Sequence, residues 1–556
     1  MPRLFADHKL RRVTDLAGLW DFALVESWEA EPSRYAEKMV VPGCYDALPA
    51  HAGYRGPAAY RTWIETDECR HRLVFDGVSH RARVLLDGVE LGTHQGAFTR
   101  FHDDLPPGKP GKHELVLFVD NSFDAQASPL HHPYFDWYTY GGIIRPVSLH
   151  RLPPVWIDQV VIRVLDWRAG RLKLIVSWGR EPDGPPDAAL RVQVDDTTVA
   201  FSMLRLEGTS GTTELEVMVP RPRSWVPELP HLHTVHVYLG EDDLIERVGL
   251  RSVRVEGTQL LLNDTPIFLR GVNRHEAHPQ FGHSLPAELM LADIQQIKML
   301  NGNFVRGSHY PQDVRFLDLC DEQGLLVWQE ATAWQATVEH LTDPRFIAAQ
   351  LQCIEEMVAQ SVNHPSVIIW GILNESASEA PQTRPAYERL LGRLRELDPT
   401  RPVTYASHRQ LADLHLDLVD IMSFNVYPGW YFGTLDTMRS WLDGLMRGIQ
   451  ERGWDKKPII FSEFGGGAIF GWHDQFNGKW SEPYQARLLD IALRWMKEQP
   501  QVVGTAIWQF CDCRVSPERA MGRPRGFNNK GLVDEYRRPK MAFDVVKGIY
   551  GEMTRK

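Results

Sequence analysis

Two β-sandwiches followed by a (β/α)₈ barrel account best for this sequence of 556 residues. Three observations lead there. At roughly 150 residues per domain the chain is too long for one ordinary domain and long enough for a barrel with accessory domains. Up to residue 254 short apolar runs alternate with turns. From residue 255 onward strand-like apolar runs alternate with segments of helical spacing, about eight pairs over roughly 300 residues, which is the count and size of a (β/α)₈ TIM barrel.

The first region, residues 1–150, is clearest in HRLVFDGVSHRARVLLDGVELGTHQGAF (71–98), where Asp87-Gly88 between two apolar runs predicts a hairpin turn. Several such strands without a strong helix predict a jelly-roll β-sandwich. The second, residues 151–254, continues with WIDQVVIRVLDW, LKLIVSWG, LRVQVDD, TELEVMVP and HTVHVYLG, a spacing that predicts an immunoglobulin-like sandwich with a loop at Pro182–Pro186. The third, residues 255–556, holds the barrel strands PIFLRGVN, NFVRGSH, LLVWQE, SVIIWGILNE, VTYAS, IMSFN, PIIFSEF and TAIWQF. Segments such as AELMLADIQQIKML and FIAAQLQCIEEMVAQSV between them carry apolar residues at helical spacing.

Composition narrows the function. A net charge of −11 argues against a nucleic-acid partner, because phosphate binding wants a basic face. No run reaches the ~18–20 apolar residues of a membrane span. The N-terminal stretch lacks the apolar core of a signal peptide. The six cysteines are scattered, with Cys511-Asp512-Cys513 a lone close pair, so neither a disulfide framework nor a metal site is expected. These readings place the protein in the cytoplasm with reduced thiols.

Active sites of such barrels form at the carboxyl ends of the strands. Read there, the sequence supplies His275 and Glu276, His309, Glu330, Asn374-Glu375, Asn425 with Tyr427 and Tyr431 beyond it, Glu463, and Trp508. Glu375 and Glu463 stand out. Each ends a strongly apolar strand, where desolvation raises a carboxylate pKa. Strands four and seven lie nearly across the barrel, so the two can face each other over a sugar. Glycoside hydrolysis uses such a pair: one acid protonates the leaving oxygen, the other attacks the anomeric carbon or activates water. A lone strand-end glutamate is usually a salt-bridge partner; Glu330 is a third catalytic candidate, with a purely structural pairing to Arg306 as the alternative. Two on opposed strands, one preceded by Asn, fit catalysis better. His275, Glu276, His278 and His309 lack a metal-ligand motif, so a metal-dependent hydrolase is disfavoured and no cofactor is expected.

The same residues carry a family likeness. NHPSVIIWGILNE (363–375) resembles the acid/base signature of glycoside hydrolase family 2, and FSEFGG (461–466) its nucleophile segment. RGVNRHE (270–276) and RGSHYP (306–311) are similar to its first two barrel strands. Within the family the chain is most like the β-glucuronidases. The resemblance implies Glu375 as acid/base, Glu463 as nucleophile, a retaining double displacement, and Asn374, His309 and Trp508 at the sugar. YFDWYTYGGIIRPV (134–147) resembles a loop that sends an Asp, here Asp136, to a sugar hydroxyl. SFNVYPGWY (423–431) is similar to the segment supplying Asn425, Tyr427 and Tyr431. FNNKG (527–531) matches a motif whose Asn and Lys, here Asn528 and Lys530, hold a uronate carboxylate.

The chain departs from the pattern in places. Pro524 stands where an Arg is expected, with Arg523 and Arg525 on either side; either can swing in toward the carboxylate, and Arg525 is taken as the candidate. Pro428 follows Tyr427 in place of an aromatic. The stretch from Trp334 to Phe346 is too short for the long loop that some members fold over the site, which implies an open mouth suited to bulky or oligosaccharide aglycones. Alternatives are a β-galacturonidase, a neutral-sugar β-glycosidase such as a β-galactosidase, and a non-catalytic carbohydrate-binding protein. The family also implies a possible homo-oligomer.

Overall fold

The structure is a computed structural model that describes residues 3–108, 110–124, 131–132 and 134–554. Near the N-terminus a four-stranded sheet (Arg12–Asp15, Val147–Leu152, Arg70–Phe75, Phe101–Leu105) faces a six-stranded one (Glu37–Val41, Gly18–Leu24, Pro57–Thr66, Gly111–Asp120, Arg81–Leu86, Val89–Gln95). Period-two alternation builds the core between them. Leu115, Leu117 and Val119 point into it with Leu73, Phe75 and Leu149, while Val116 and Phe118 on the same strand join a second cluster on the other face. The turn expected at Asp87-Gly88 forms, with φ of 48° and 77°, the left-handed pair that a two-residue hairpin turn needs.

A second antiparallel pair of sheets follows. Val155–Asp166, Arg171–Arg180 and Ser210–Met218 face Thr197–Arg205, Asp187–Val194, His233–Leu239 and Asp242–Val248. Alternation is clean in Asp187–Val194, where Ala188, Leu190, Val192 and Val194 are buried. The hairpin from Val253 to Leu262 then packs Val253, Leu260 and Leu262 against Leu269, Phe304 and Ile460 at the strand starts, sealing the amino-terminal end of the barrel.

Eight parallel strands close the barrel: Leu269–Arg274, Phe304–Gly307, Leu326–Glu330, Val367–Asn374, Val403–Ser407, Met422–Asn425, Ile459–Phe464 and Val502–Ile507. These are the eight runs read from the sequence. Closure pairs Leu269–Arg274 with Val502–Ile507. The predicted helices form at Ala287–Met299 and Pro344–Ser361. The second starts on Asp343, whose carboxylate accepts from the Arg345 amide, with Pro344 at the first helical position where a missing N–H costs nothing. Among the described residues no helix is long and apolar enough to cross a membrane.

A segment of the first sandwich crosses to the barrel's carboxyl end. Phe135, Trp137, Tyr138 and Tyr140 share a buried cluster with Ala277, Tyr310 and Trp334 of the barrel. Burying side chains of this size contributes on the order of 2 kcal/mol each. The Phe135 amide donates to Ser516 Oγ at 3.0 Å. Asp136 is thereby carried to the barrel mouth.

Candidate active site

Arg306 on the second barrel strand is the centre of the site. Its side chain is fully buried and every nitrogen is used. Nε and Nη2 donate to Glu330 at 2.9 and 2.7 Å, Nη1 to Glu463 at 2.8 Å and to Asn273 at 2.9 Å, and Nη2 to Asn374 at 2.9 Å. Strands one, three, four and seven therefore converge on the guanidinium of strand two, whose fork suits carboxylate geometry. Glu463 also accepts from Tyr427 Oη at 2.8 Å. Burial and the nearby Glu375 push the Glu463 carboxyl up to about 8, against the pull of Arg306. Burial raises Glu330 to about 7. One cation is shared by two buried carboxylates and neutralises neither fully.

Glu375 follows directly on the fourth strand. It takes φ of 50° and anchors its amide on the Ala406 carbonyl at 2.8 Å. A non-glycine residue held there stores strain, which concentrates at functional sites. Its carboxylate accepts from Asn425 Nδ2 at 3.0 Å and Gln335 Nε2 at 3.1 Å. Ser462 Oγ fixes the Asn425 amide by donating to its Oδ1 at 2.8 Å. Asn374 spends its oxygen on Arg306, and its buried Nδ2 has no protein partner, so a donor waits beside the two glutamates.

Glu375 and Glu463 line one cavity of about 510 Å³ with Asp136, His309, Asn425, Tyr427, Tyr431, Trp508 and Lys530. Trp508 stacks on His309, with ring centroids 5.0 Å apart and planes 18° from parallel. Asn528 is one layer behind: its Nδ2 donates to Asp136 at 3.0 Å. Lys530 is 2% exposed, and Nζ donates to Tyr431 Oη at 2.8 Å. It is no solvated surface lysine. Among the described residues no carboxylate lies within ion-pair distance of it. Tyr431 Oη also accepts from Arg523, and the two cations lower its pKa against burial.

The structure corrects one expectation. Arg525 does not line the cavity, because Glu535 takes both its Nη atoms at 2.9 and 3.1 Å and Asn529 takes Nη2 at 2.8 Å. Its left-handed backbone, φ of 64°, turns the side chain outward. Arg523 serves instead and grips Asp136 with Nε and Nη2. Asp136 thus meets an arginine and an asparagine of the barrel before any sugar arrives. Of the two roles open to Glu330, its contacts are those of the Arg306 partner. Glu276, one of the imagined metal ligands, is spent on Arg145 and the Asp313 amide.

A model of the glycosyl hydrolases family 2 TIM barrel domain matches residues 253–555. The chain belongs to glycoside hydrolase family 2. It is 27% identical to the β-glucuronidase of Paenibacillus borealis, with 98% of each chain covered. Among solved structures it is similar to a family 2 β-galacturonidase from Eisenbergiella tayi bound to galacturonate, at 38% identity, TM-score 0.94 and 99% coverage of both chains. A β-D-glucuronidase of Dictyoglomus thermophilum matches at 26% identity and TM-score 0.83, covering 99% of this chain and 98% of that one. Family membership makes the chain a glycoside hydrolase, and two opposed glutamates in one cavity are what that chemistry requires.

Reading strand ends missed part of the wall. Trp334, Gln335, His408, Gln410, Phe432, Glu518 and Arg519 also line the cavity. All sit beyond the strands, on loops or in the short 3-10 turns Gln410–Ala412 and Pro517–Gly522, where neither periodicity nor strand position marks a residue. Gln335, with φ of 52°, is the one that bonds the acid/base candidate.

Proposed function

We propose that the enzyme is a retaining, exo-acting β-D-uronidase that removes terminal β-D-glucuronosyl groups by double displacement. Glu463 attacks the anomeric carbon while Glu375 gives its proton to the leaving oxygen, forming a covalent glycosyl-enzyme. Glu375 then takes a proton from water, which releases the sugar with its β configuration retained. Arg306 and Tyr427 hold the nucleophile. Asn374 Nδ2 meets the 2-hydroxyl, where a hydrogen bond strengthens as the oxocarbenium ion develops. His309 and Trp508 flank the ring. The reading includes a jelly-roll sugar-contacting domain at residues 1–150, an immunoglobulin-like domain at 151–254 and a catalytic barrel at 255–556. The six unpaired cysteines suit a cytoplasmic location.

Lys530 carries the uronide assignment. A buried ammonium without a carboxylate partner is costly unless an anion completes the site. Arg523 and Lys530 set against Asp136 leave one positive charge in excess, the complement of a single uronate carboxylate. Truncating one member of a desolvated charge pair costs about 2–4 kcal/mol, so Lys530→Ala should lower kcat/KM on nitrophenyl β-D-glucuronide on the order of 10²-fold. The β-D-galactoside, which lacks the charge, should change little. Equal losses on both would remove the uronate reading and leave only the two glutamates.

A second reading, a β-D-galacturonidase, is favoured by a specific observation. The relative at 38% identity holds galacturonate, and in this chain Arg523 occupies the Asp136 carboxylate that would otherwise read the 4-hydroxyl. Both epimers carry the carboxylate that Lys530 binds. Wild-type kcat/KM on the two nitrophenyl uronides decides between them.

A further inference from the structure

Lys530 enters the cavity from a stretch of chain that no barrel strand carries, just past the short strand Phe527–Asn528. A lysine has a long flexible stem, so a carboxylate clamp built on it is only as precise as the backbone beneath it. That backbone is held from behind by a second lysine. Lys540 Nζ donates to Asp512 Oδ1 at 2.7 Å, to the Asn529 carbonyl at 3.1 Å and to the Ala468 carbonyl at 2.7 Å. Asp512 Oδ1 also accepts from the Gly531 amide at 2.8 Å. The ion pair thus grips the residue before Lys530 and the residue after it. Both side chains are fully buried, and neither lines the cavity. Gly531 permits the close approach: a Cβ there would lie 2.6 Å from Asp512 Oδ1 and 2.3 Å from the Val533 carbonyl oxygen. The Lys530 carbonyl is fixed as well, accepting from the Gln509 amide at 3.0 Å.

We infer that Lys540 and Asp512 are positioning residues for the uronate site, holding the Asn528–Gly531 backbone so that Lys530 Nζ meets Tyr431 and Asn528 Nδ2 meets Asp136; this rests on the uronidase reading above. A buried ion pair adds little net stability over apolar side chains of the same volume. Burial raises the Asp512 carboxyl to about 7 even against the pull of Lys540, which shows how heavily the pair is desolvated. Apolar side chains could fill the space, but they could not bond to two loops at once. The ammonium joins the Asn529 carbonyl to that of Ala468, which lies just past the strand that carries Glu463. Relaxing this backbone moves Lys530 and Asn528 and leaves Glu375 and Glu463 on their strands. The effect therefore falls on the sugar's carboxylate and not on bond cleavage.

Lys540→Met alone strands the Asp512 charge. The deciding variant is Lys540→Met/Asp512→Asn, which removes both charges and keeps an acceptor for the Gly531 amide. On whichever nitrophenyl uronide wild type prefers, it should raise KM about tenfold or more with kcat within about threefold, as expected for a displaced binding group. The free uronic acid should weaken as a competitive inhibitor by the same factor. The melting temperature and kcat/KM on nitrophenyl β-D-galactoside should stay near wild type. An unchanged KM on the uronide overturns the positioning role. So does a rise shared equally by the galactoside, or a loss that follows the melting temperature. Lys530→Ala is measured alongside. If it too spares the uronide, the uronidase reading has failed. If it selectively loses the uronide and the double variant does not, that reading stands and the role of Lys540 and Asp512 falls.

Discussion

One guanidinium serves two carboxylates in this site, and the sharing has a measurable consequence. Arg306 holds Glu330 through two nitrogens and Glu463 through one. Attack requires Glu463 ionised, and burial sets its carboxyl at about 8, with Glu330 at about 7. Glu330→Gln removes the competing anion and leaves the Arg306 charge undivided. The Glu463 pKa then falls. Since activity appears as pH rises through that pKa, the acid limb of kcat/KM should move to lower pH by about one unit. A limb that stays in place, or moves up, would show that the proton governing it sits elsewhere. Gln keeps the shape and one acceptor, so a loss of activity without a shift would mark Glu330 as a support for Arg306 alone.

At the scale of elements, the loop from Tyr134 to Tyr140 does most to finish the site. Trp137 lies 5.2 Å from both His275 and His309 between ring centroids and 4.7 Å from Phe135. Its neighbour Asp136 is held at the cavity by that seated ring together with Arg523 and Asn528. Trp137→Ala should raise KM about tenfold or more, since displacing a binding group by an ångström costs of that order. The kcat should fall less, because Glu375 and Glu463 are held by strands. A fall confined to kcat would mean that the loop tunes His309 and not the grip on the sugar. The same contrast explains what the sequence reveals. The barrel strands were legible because burial on both faces writes them as unbroken apolar runs, and Glu375, Glu463 and Asn425 were legible because strands fix where they end. Arg523 against Arg525 was not legible: which of two arginines around Pro524 enters the site depends on one left-handed residue and on Glu535, ten positions further on. Gln335 and Arg519 were invisible for the same reason, being loop residues placed by contacts distant in sequence.

Across the whole molecule the first sandwich and the barrel are locked by a buried ion pair. Arg145 Nη2 donates to Glu276 Oε2 at 2.8 Å and to the Pro311 carbonyl at 2.7 Å, and the Asp313 amide donates to Glu276 Oε1 at 2.6 Å. Both side chains are about 1% exposed. Such a pair adds little net stability over apolar residues of equal volume, but breaking it strands a charge without water. Glu276→Gln leaves the Arg145 cation only the more distant Asp313 carboxylate at 3.9 Å and should destabilise by about 3 kcal/mol. The double variant Arg145→Met/Glu276→Met removes both charges and should regain most of that loss, although neither half of the pair is restored. Because Arg145 lies nine residues beyond Asp136 on the same segment, the single variant should also loosen the sugar contact. Its KM should then rise together with the lost stability, and both should recover in the double variant. If Glu276→Gln costs less than about 1 kcal/mol, the two domains are held by the aromatic cluster around Trp137 and the ion pair is incidental. If stability recovers in the double variant and KM does not, the pair positions Asp136 by its own geometry, a role that packing alone cannot replace.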